Sequence, residues 1–205
     1  DCICVSGNWT PSVHLSSQSG NQLKFDEKIN AFIPNQSRQN ESTIGSANGS
    51  FTLKKSLDEG FNEGYELSNK ITGKNVKSTT PTSNERIYSQ HDKFWCMPLP
   101  KNKHYKRCVD FQNDVYVSDI ELAVREGFRS IEHVKRYTTL GMATDQGKTS
   151  NLNGLQLVSN IEDKIVPEVG HTTFRPPYTP VTIGAIVGRE VGKHYRPTRK
   201  SPMHE

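Results

Sequence analysis

The run from Ser118 to Gly141, SDIELAVREGFRSIEHVKRYTTLG, constrains the fold more than any other part of the chain. Ser118-Asp119-Ile120-Glu121 has the form of a capping box, in which a Ser hydroxyl and a Glu carboxylate three residues on satisfy two backbone N–H groups that the first helical turn leaves unpaired. A helix is therefore predicted to start there. Ile120, Ala123 and Val124 give it one apolar face, and Gly127 ends it as a C-terminal cap. Ser130 is predicted to cap a second helix, with Ile131, Val134 and Tyr137 turned inward and Gly141 as its terminator. Two short helices joined by a Gly-Phe-Arg turn make a helical hairpin.

The hairpin is followed by Met142 to Asn151, which apart from Met142 holds only small or polar residues, and then by a third helix with Leu152, Leu155 and Val158 on one face. A polar run that opens a helix offers hydroxyls and N–H groups in one direction, which suits an anion or a flavin ring edge. An elaborate capping loop is the equal alternative.

Upstream, Cys2-Ile3-Cys4-Val5 reads as a strand covered on both faces of a parallel or mixed sheet, closed by a turn at Ser6-Gly7-Asn8. The chain enters this run without an initiating Met, as if in mid-domain. Leu23–Asp26 and Ala31–Pro34 read as short strands or extended segments, and Ile44 to Gly49 as a small-residue turn. A helix is predicted from Leu53 to Lys70, with Leu53, Leu57, Phe61, Gly64 and Leu67 forming one buried face. Strand, small-residue turn and helix is a layout that brings N–H groups to a phosphate. No G-x-G-x-x-G accompanies it, so the glycines here are either nucleotide contacts or packing residues.

Val76 to Lys106, with Pro81, Pro98 and Pro100, reads as a linker. His91, Cys96, His104 and Cys108 are zinc-binding residue types, but their spacing matches no compact knuckle and no metal site is expected. Thr172 to Pro180 carries three prolines and is predicted to run extended along a surface or another subunit. Val181 to Val187 reads as a strand or as a segment buried in a complex, and a basic tail follows from Arg196 to Lys200.

Composition supports an incompletely self-covered chain. A hydrophobic fraction of 32% and a mean hydropathy of -0.71 are low for 205 residues that must bury their own core, so partner-covered segments are expected. A net charge of +4, without an aromatic and basic platform, argues against a nucleic-acid surface. No apolar run approaches membrane-spanning length and no signal-peptide pattern is seen, so a soluble, cytoplasmic protein is expected. The sequons at Asn8, Asn35, Asn40 and Asn48 are read as chance in an Asn-rich chain, and the four cysteines as reduced thiols.

Three blocks carry a resemblance. CVSGNWTPSVHLSSQ, EGFRSIEHVKRYTTLGMATDQGKTSN and TTFRPPYTPVTIGA are similar to segments of the alpha-subunit family of heterotetrameric sarcosine oxidases, with Asn8 in place of a glycine. The resemblance spans essentially the whole chain. It implies a fold of α/β class, α+β overall: residues 1–75 end an FAD/NAD(P)-binding-like domain, 76–107 link it to a small helical domain at 108–162, and 163–205 lead toward a folate-binding domain. It also implies an oxidoreductase that demethylates sarcosine, or a related N-methyl amine, to glycine. Carbon passes to tetrahydrofolate and oxygen is reduced to hydrogen peroxide. FAD, FMN and NAD are the implied cofactors, with FMN between the alpha and beta subunits. The implied partners are the beta subunit and smaller subunits of a heterotetramer. The fragment alone is expected to be inactive.

The hairpin further resembles a bacterioferritin-associated-ferredoxin-type [2Fe-2S] domain. The four cluster positions fall on Cys108, Asp110, Asp145 and Ser150, so three thiolates are missing and no iron–sulfur cluster is expected. Under this resemblance the FMN side comprises Lys135, Arg136, Tyr137 and Thr138 from the second helix with Thr144, Asp145, Gln146, Lys148, Ser150 and Asn151 from the polar run. The alternative is a solvated helix face followed by a capping loop. Gly7 and Gly45 lie on the NAD side, and no catalytic residue is assigned. A second reading is an electron-transfer or assembly module of a related amine or amino-acid dehydrogenase complex, without catalysis of its own.

Overall fold

The computed structural model describes residues 9–74, 79–84, 95–100, 105–192 and 198–204. The Cys2 to Val5 run, Gly7, His91 and His104 lie outside them.

After a short helix, α1 (His14–Gln18), strands β1 (Leu23–Asp26) and β2 (Ala31–Pro34) form an antiparallel hairpin with Leu23 opposite Pro34 and Asp26 opposite Ala31. The Asp26 carboxylate accepts the Lys28 N–H at 2.8 Å, an Asx-type turn, and Asn30 takes a left-handed φ of 49°. Ala31 and Ile33 are buried, and Phe25 meets Phe32 edge to face with ring centroids 5.3 Å apart.

The small-residue turn is a 3-10 turn, Gly45–Asn48, leading into α2 (Leu53–Thr72). The Thr52 hydroxyl caps α2 by accepting the Lys55 N–H at 3.3 Å, and Gly73 ends it in a left-handed conformation. The helix is where the periodicity predicts, but its apolar face is not buried. No α2 residue is buried, and Leu53 and Ile71 are 56% and 81% exposed; the helix packs against the 3-10 turn before it.

Glu59 of α2 turns back on the 3-10 turn. One carboxylate oxygen accepts the Gly45 N–H at 2.7 Å and the other accepts the hydroxyl of buried Ser50. Replacing Glu59 by Ala strands both donors. The expected loss is about 1–3 kcal/mol, read as a lower urea midpoint with an unchanged m-value.

The second half is built on a small hairpin, β3 (Cys108–Asp110) with β4 (Val115–Tyr116), whose register shifts between Cys108 and Asp110. It runs directly into α3 (Val117–Arg125), followed by α4 (Ile131–Thr138), α5 (Asn151–Glu162) and α6 (Val166–Val169). α3 packs against both α4 and α5. Val115, Ile120, Val134, Leu140, Leu155 and Val158 are the centre of the core.

The hairpin of helices forms as predicted, but its caps differ. α3 starts at Val117, and the capping carboxylate is Asp119, which accepts the Tyr116 N–H at 2.8 Å; Glu121 instead pairs with Arg107 at 3.4 Å. Burial of Val115, Val117 and Ile120 sets the phase of this segment and places Asp119 rather than Glu121 at the third helical position. Gly127 does close α3, with φ +96° and the two bonds of a Schellman motif, Gly127 N–H to Val124 O and Phe128 N–H to Ala123 O, both 3.0 Å.

Ser130 sits at the N-cap of α4, but its hydroxyl makes no capping bond. α4 ends at Thr139, in a left-handed conformation two residues before Gly141. Leu140 is fully buried, so the chain must turn before it, and the Thr138 hydroxyl assists by donating to Val134 O at 2.7 Å and accepting the Leu140 N–H at 3.2 Å. Tyr137 is not an inward residue: it is 46% exposed and lies over Phe128 with centroids 4.7 Å apart.

Thr172 to Pro180 is irregular, as its prolines require, and it packs on this chain's own α1. Ile183–Val187, expected as a strand or as a segment buried in a complex, is a single helical turn, α7, rather than a strand, and it is exposed on this chain. The Thr182 hydroxyl starts it by accepting the Ala185 N–H at 3.2 Å, a bond that favours helix over strand.

The architecture is thus a mixture of helices with two small antiparallel hairpins. Among the described residues there is no parallel sheet. No described helix is long and apolar enough to cross a membrane.

Candidate functional site

The polar run between α4 and α5 folds around two buried side chains. Asp110, 2% exposed at the end of β3, reaches across to it. One oxygen accepts the Gly141 N–H at 2.7 Å and the Ser150 hydroxyl at 3.4 Å; the other accepts the N–H groups of Gln112 at 2.9 Å and Asn113 at 3.3 Å. The Asn113 carboxamide donates to Thr139 O at 2.9 Å, and the Thr144 hydroxyl bonds Gln112 Oε1 at 2.9 Å. The β3–β4 turn and the loop are therefore one hydrogen-bonded unit.

Asn151 is the second anchor. Its side chain lies against Gly141 and Gly147, both in left-handed conformations, and donates to the buried Thr172 hydroxyl at 3.0 Å. A Cβ at either glycine would overlap the Asn151 carboxamide. Leu140 similarly needs the bare Gly154 of α5.

Asp145 organises the tip of the loop. Burial pushes its carboxyl pKa up, but the Thr149 hydroxyl at 2.7 Å, the N–H groups of Gly147 and Thr149, and the Lys148 charge outweigh this and hold it below the ordinary value. The Lys148 ammonium donates to Tyr178 O at 2.6 Å and Asp145 O at 3.3 Å, and lies 4.4 Å from the Tyr178 ring centre. Gln146, at φ +56°, presents its carbonyl to His14 Nε2 at 3.1 Å. His14 is clasped from its other side by Phe174, with centroids 3.7 Å apart.

On α4, burial lowers the Lys135 pKa; Arg136 and Arg175 lower it further, against the opposing charge of Glu132. Arg136 pairs with Glu132 at 3.0 Å. The ten residues expected on the FMN side therefore separate by exposure. Arg136, Tyr137 and Thr144 are exposed; Lys135, Thr138, Asp145, Gln146 and Lys148 are half-buried; Ser150 and Asn151 are buried, with their side chains bonded inside the chain. Gly45 is remote in the chain, and its N–H is held by Glu59.

Of the four cluster-equivalent positions, Asp110 and Ser150 are in contact and Asp145 caps its own loop. Cys108 is a free thiol whose pKa is raised by burial and then by the charges of Asp114 and Asp110. Among the described residues no group of three or more His, Cys, Asp or Glu side chains is placed to hold a metal. His14, Phe174 and Tyr178 were absent from the predicted site. His14 meets the loop across 132 residues of sequence and Tyr178 meets it across 30, and no local pattern announces either contact.

The hairpin, the loop and the helices around them place this module in a known class: residues 104–189 match the sarcosine oxidase A3 domain. Over its whole length the chain is 39% identical to sarcosine oxidase subunit alpha of Rhizobium meliloti (strain 1021) and 33% identical to that of Corynebacterium sp. (strain P-1). Over its whole length the chain is thus similar to a segment of the alpha subunits of sarcosine oxidase. It spans about a fifth of the length of these curated relatives, 21% and 22%, while all of it is covered. Among solved structures, L-proline dehydrogenase from P. horikoshii shares the fold with a TM-score of 0.62 and 21% identity, over 88% of this chain and 37% of that one.

Proposed function

We propose that the chain is part of an oxidoreductase complex of the sarcosine oxidase type, where it supplies one wall of a flavin site and a surface for a neighbouring subunit. The observation that carries this reading is the similarity of the entire chain to sarcosine oxidase alpha subunits together with the A3-domain match. In that setting the complex oxidises the N-methyl group of sarcosine or a related amine, with FAD, NAD and tetrahydrofolate held by other parts of it. FMN, when bound, supplies the electron-accepting ring.

The residues present fit one wall of such a site. Lys135 and Arg136 offer positive charge for a phosphate, and Thr144 and Gln146 offer a hydroxyl and a carboxamide for ring or ribityl oxygens and nitrogens. Asp145 and Lys148 fix the shape of the loop, Tyr137 and Thr138 close the end of α4, and Ser150 and Asn151 act from inside. The module is a [2Fe-2S]-type scaffold in which Asp110 and Ser150 replace metal ligation with hydrogen bonds. On the NAD side, the turn at Gly45 with Gly7 belongs to the end of a dinucleotide-binding domain formed by residues 1–75.

The test is FMN retention by the assembled complex carrying Arg136→Ala with Thr144→Val. Loss of charged and hydroxyl contacts is expected to weaken retention about tenfold or more, with the protein's melting temperature nearly unchanged. Flavin content and turnover equal to the unsubstituted complex would count against this face. Purification of the complex with beta subunit but without flavin would instead favour a purely assembling role.

A further inference from the structure

His14 belongs to α1, at the N-terminal side of the chain, yet it is only 4% exposed, and its ring contacts Gln146, Phe174 and Tyr178, each more than 130 residues away in sequence. Nε2 faces the carbonyl oxygen of Gln146 at 3.1 Å. A carbonyl can only accept, so Nε2 carries the hydrogen, and in the neutral ring Nδ1 is left as a bare lone pair. Nδ1 is itself buried and has no hydrogen-bond partner among the described residues. One ring face lies against Phe174, and Tyr178 meets the ring edge to face at 6.1 Å.

We propose that His14 is an acid-released latch, closing the junction between α1 and the loop at 142–150 while its ring is neutral and loosening it when Nδ1 takes up a proton. The physical reason is local. A proton on Nδ1 would create a buried N–H donor with no acceptor and a buried positive charge, both of which disfavour the closed arrangement.

The charged groups that face the ring agree with this direction. Burial lowers its pKa most; the bond to Gln146 O raises it, Lys148 of the loop lowers it, Asp145 of the loop raises it, and Lys135 of α4 lowers it, leaving it below the ordinary value of 6.5. From the 172–180 segment comes the Tyr178 phenol, while Arg175 acts on Lys135. Because the closed form has the lower pKa, its advantage is complete above pH 6.5 and declines as the pH falls toward the closed-form value. Asp145, whose own pKa is lowered, stays ionised through that window. The latch does not depend on what the loop binds.

Hydrogen exchange of the intact protein over residues 142–150, corrected for intrinsic rates, tests the latch. On going from pH 7.5 to 5.5, opening is expected to rise several-fold, with a ceiling of about tenfold set by the free-histidine value. His14→Phe, which keeps a stacked ring, and His14→Gln, which keeps a neutral donor, are both expected to lose this acid response. An acid rise below twofold in the unsubstituted protein overturns the proposal. So does an unaltered rise in either variant, which would assign the response to another group.

Discussion

Replacing Asp110 by Ala is expected to destabilise the A3 module by about 3–5 kcal/mol, the largest effect of any single polar substitution in it. The reason is the number of groups that depend on this carboxylate. It is the hydrogen-bond acceptor for the Gly141 N–H, the Ser150 hydroxyl and two N–H groups of its own turn, and it is 2% exposed, so water does not replace it. Each buried donor left without an acceptor costs about 1–3 kcal/mol. Asp110→Asn keeps an oxygen for the Gly141 N–H and is expected to recover part of the loss. Urea unfolding followed by far-UV circular dichroism measures both. An Ala variant within about 0.5 kcal/mol of the original, the scale of a neutral surface change, would show that the network contributes little.

Gly147→Ala is expected to be comparably harmful, by about 2–5 kcal/mol, for a different reason. Gly147 sits at φ +70°, where a Cβ is strained, and that Cβ would overlap the Asn151 carboxamide. Asn151 cannot swing away without giving up its bond to the buried Thr172 hydroxyl. The double variant Gly147→Ala with Asn151→Ala separates the two causes, because removing the carboxamide relieves the overlap and leaves the backbone strain. Partial recovery in the double variant is expected relative to the sum of the single losses. Strict additivity of the two losses would place the whole cost in the backbone.

What the sequence discloses is what short range decides. The strands at Leu23–Asp26 and Ala31–Pro34, the helix from Leu53 and the paired helices around Gly127 all follow from periodicity and terminators within a few residues. The failures have a common cause in burial at longer range. Ser118 and Glu121 fit the capping pattern better than Tyr116 and Asp119 do, and the burial of Val115, Val117 and Ile120 overrides it. Val181 to Val187 is β-branched enough to read as a strand, yet the described chain brings no strand edge to pair with it, and one threonine hydroxyl suffices for a helical turn. For the candidate site, the polar run at 142–151 was visible as a polar run; its inward direction was not. Hydrogen-bonding groups look alike in sequence whether they face solvent or a buried carboxylate, so Ser150 and Asn151 could not be told from Thr144. His14 was beyond reach because its partners lie at the other end of the chain.

The Glu59 carboxylate bound to the turn at Gly45 has a consequence for any anion arriving there. A tethered carboxylate two oxygens wide already satisfies the Gly45 N–H and the Ser50 hydroxyl. An incoming phosphate would compete with a side chain whose effective local concentration is on the order of millimolar or higher, and would repel it as a like charge. The turn is thus self-inhibited toward weak anions, and occupation by a dinucleotide requires contacts elsewhere strong enough to displace an acid that never diffuses away.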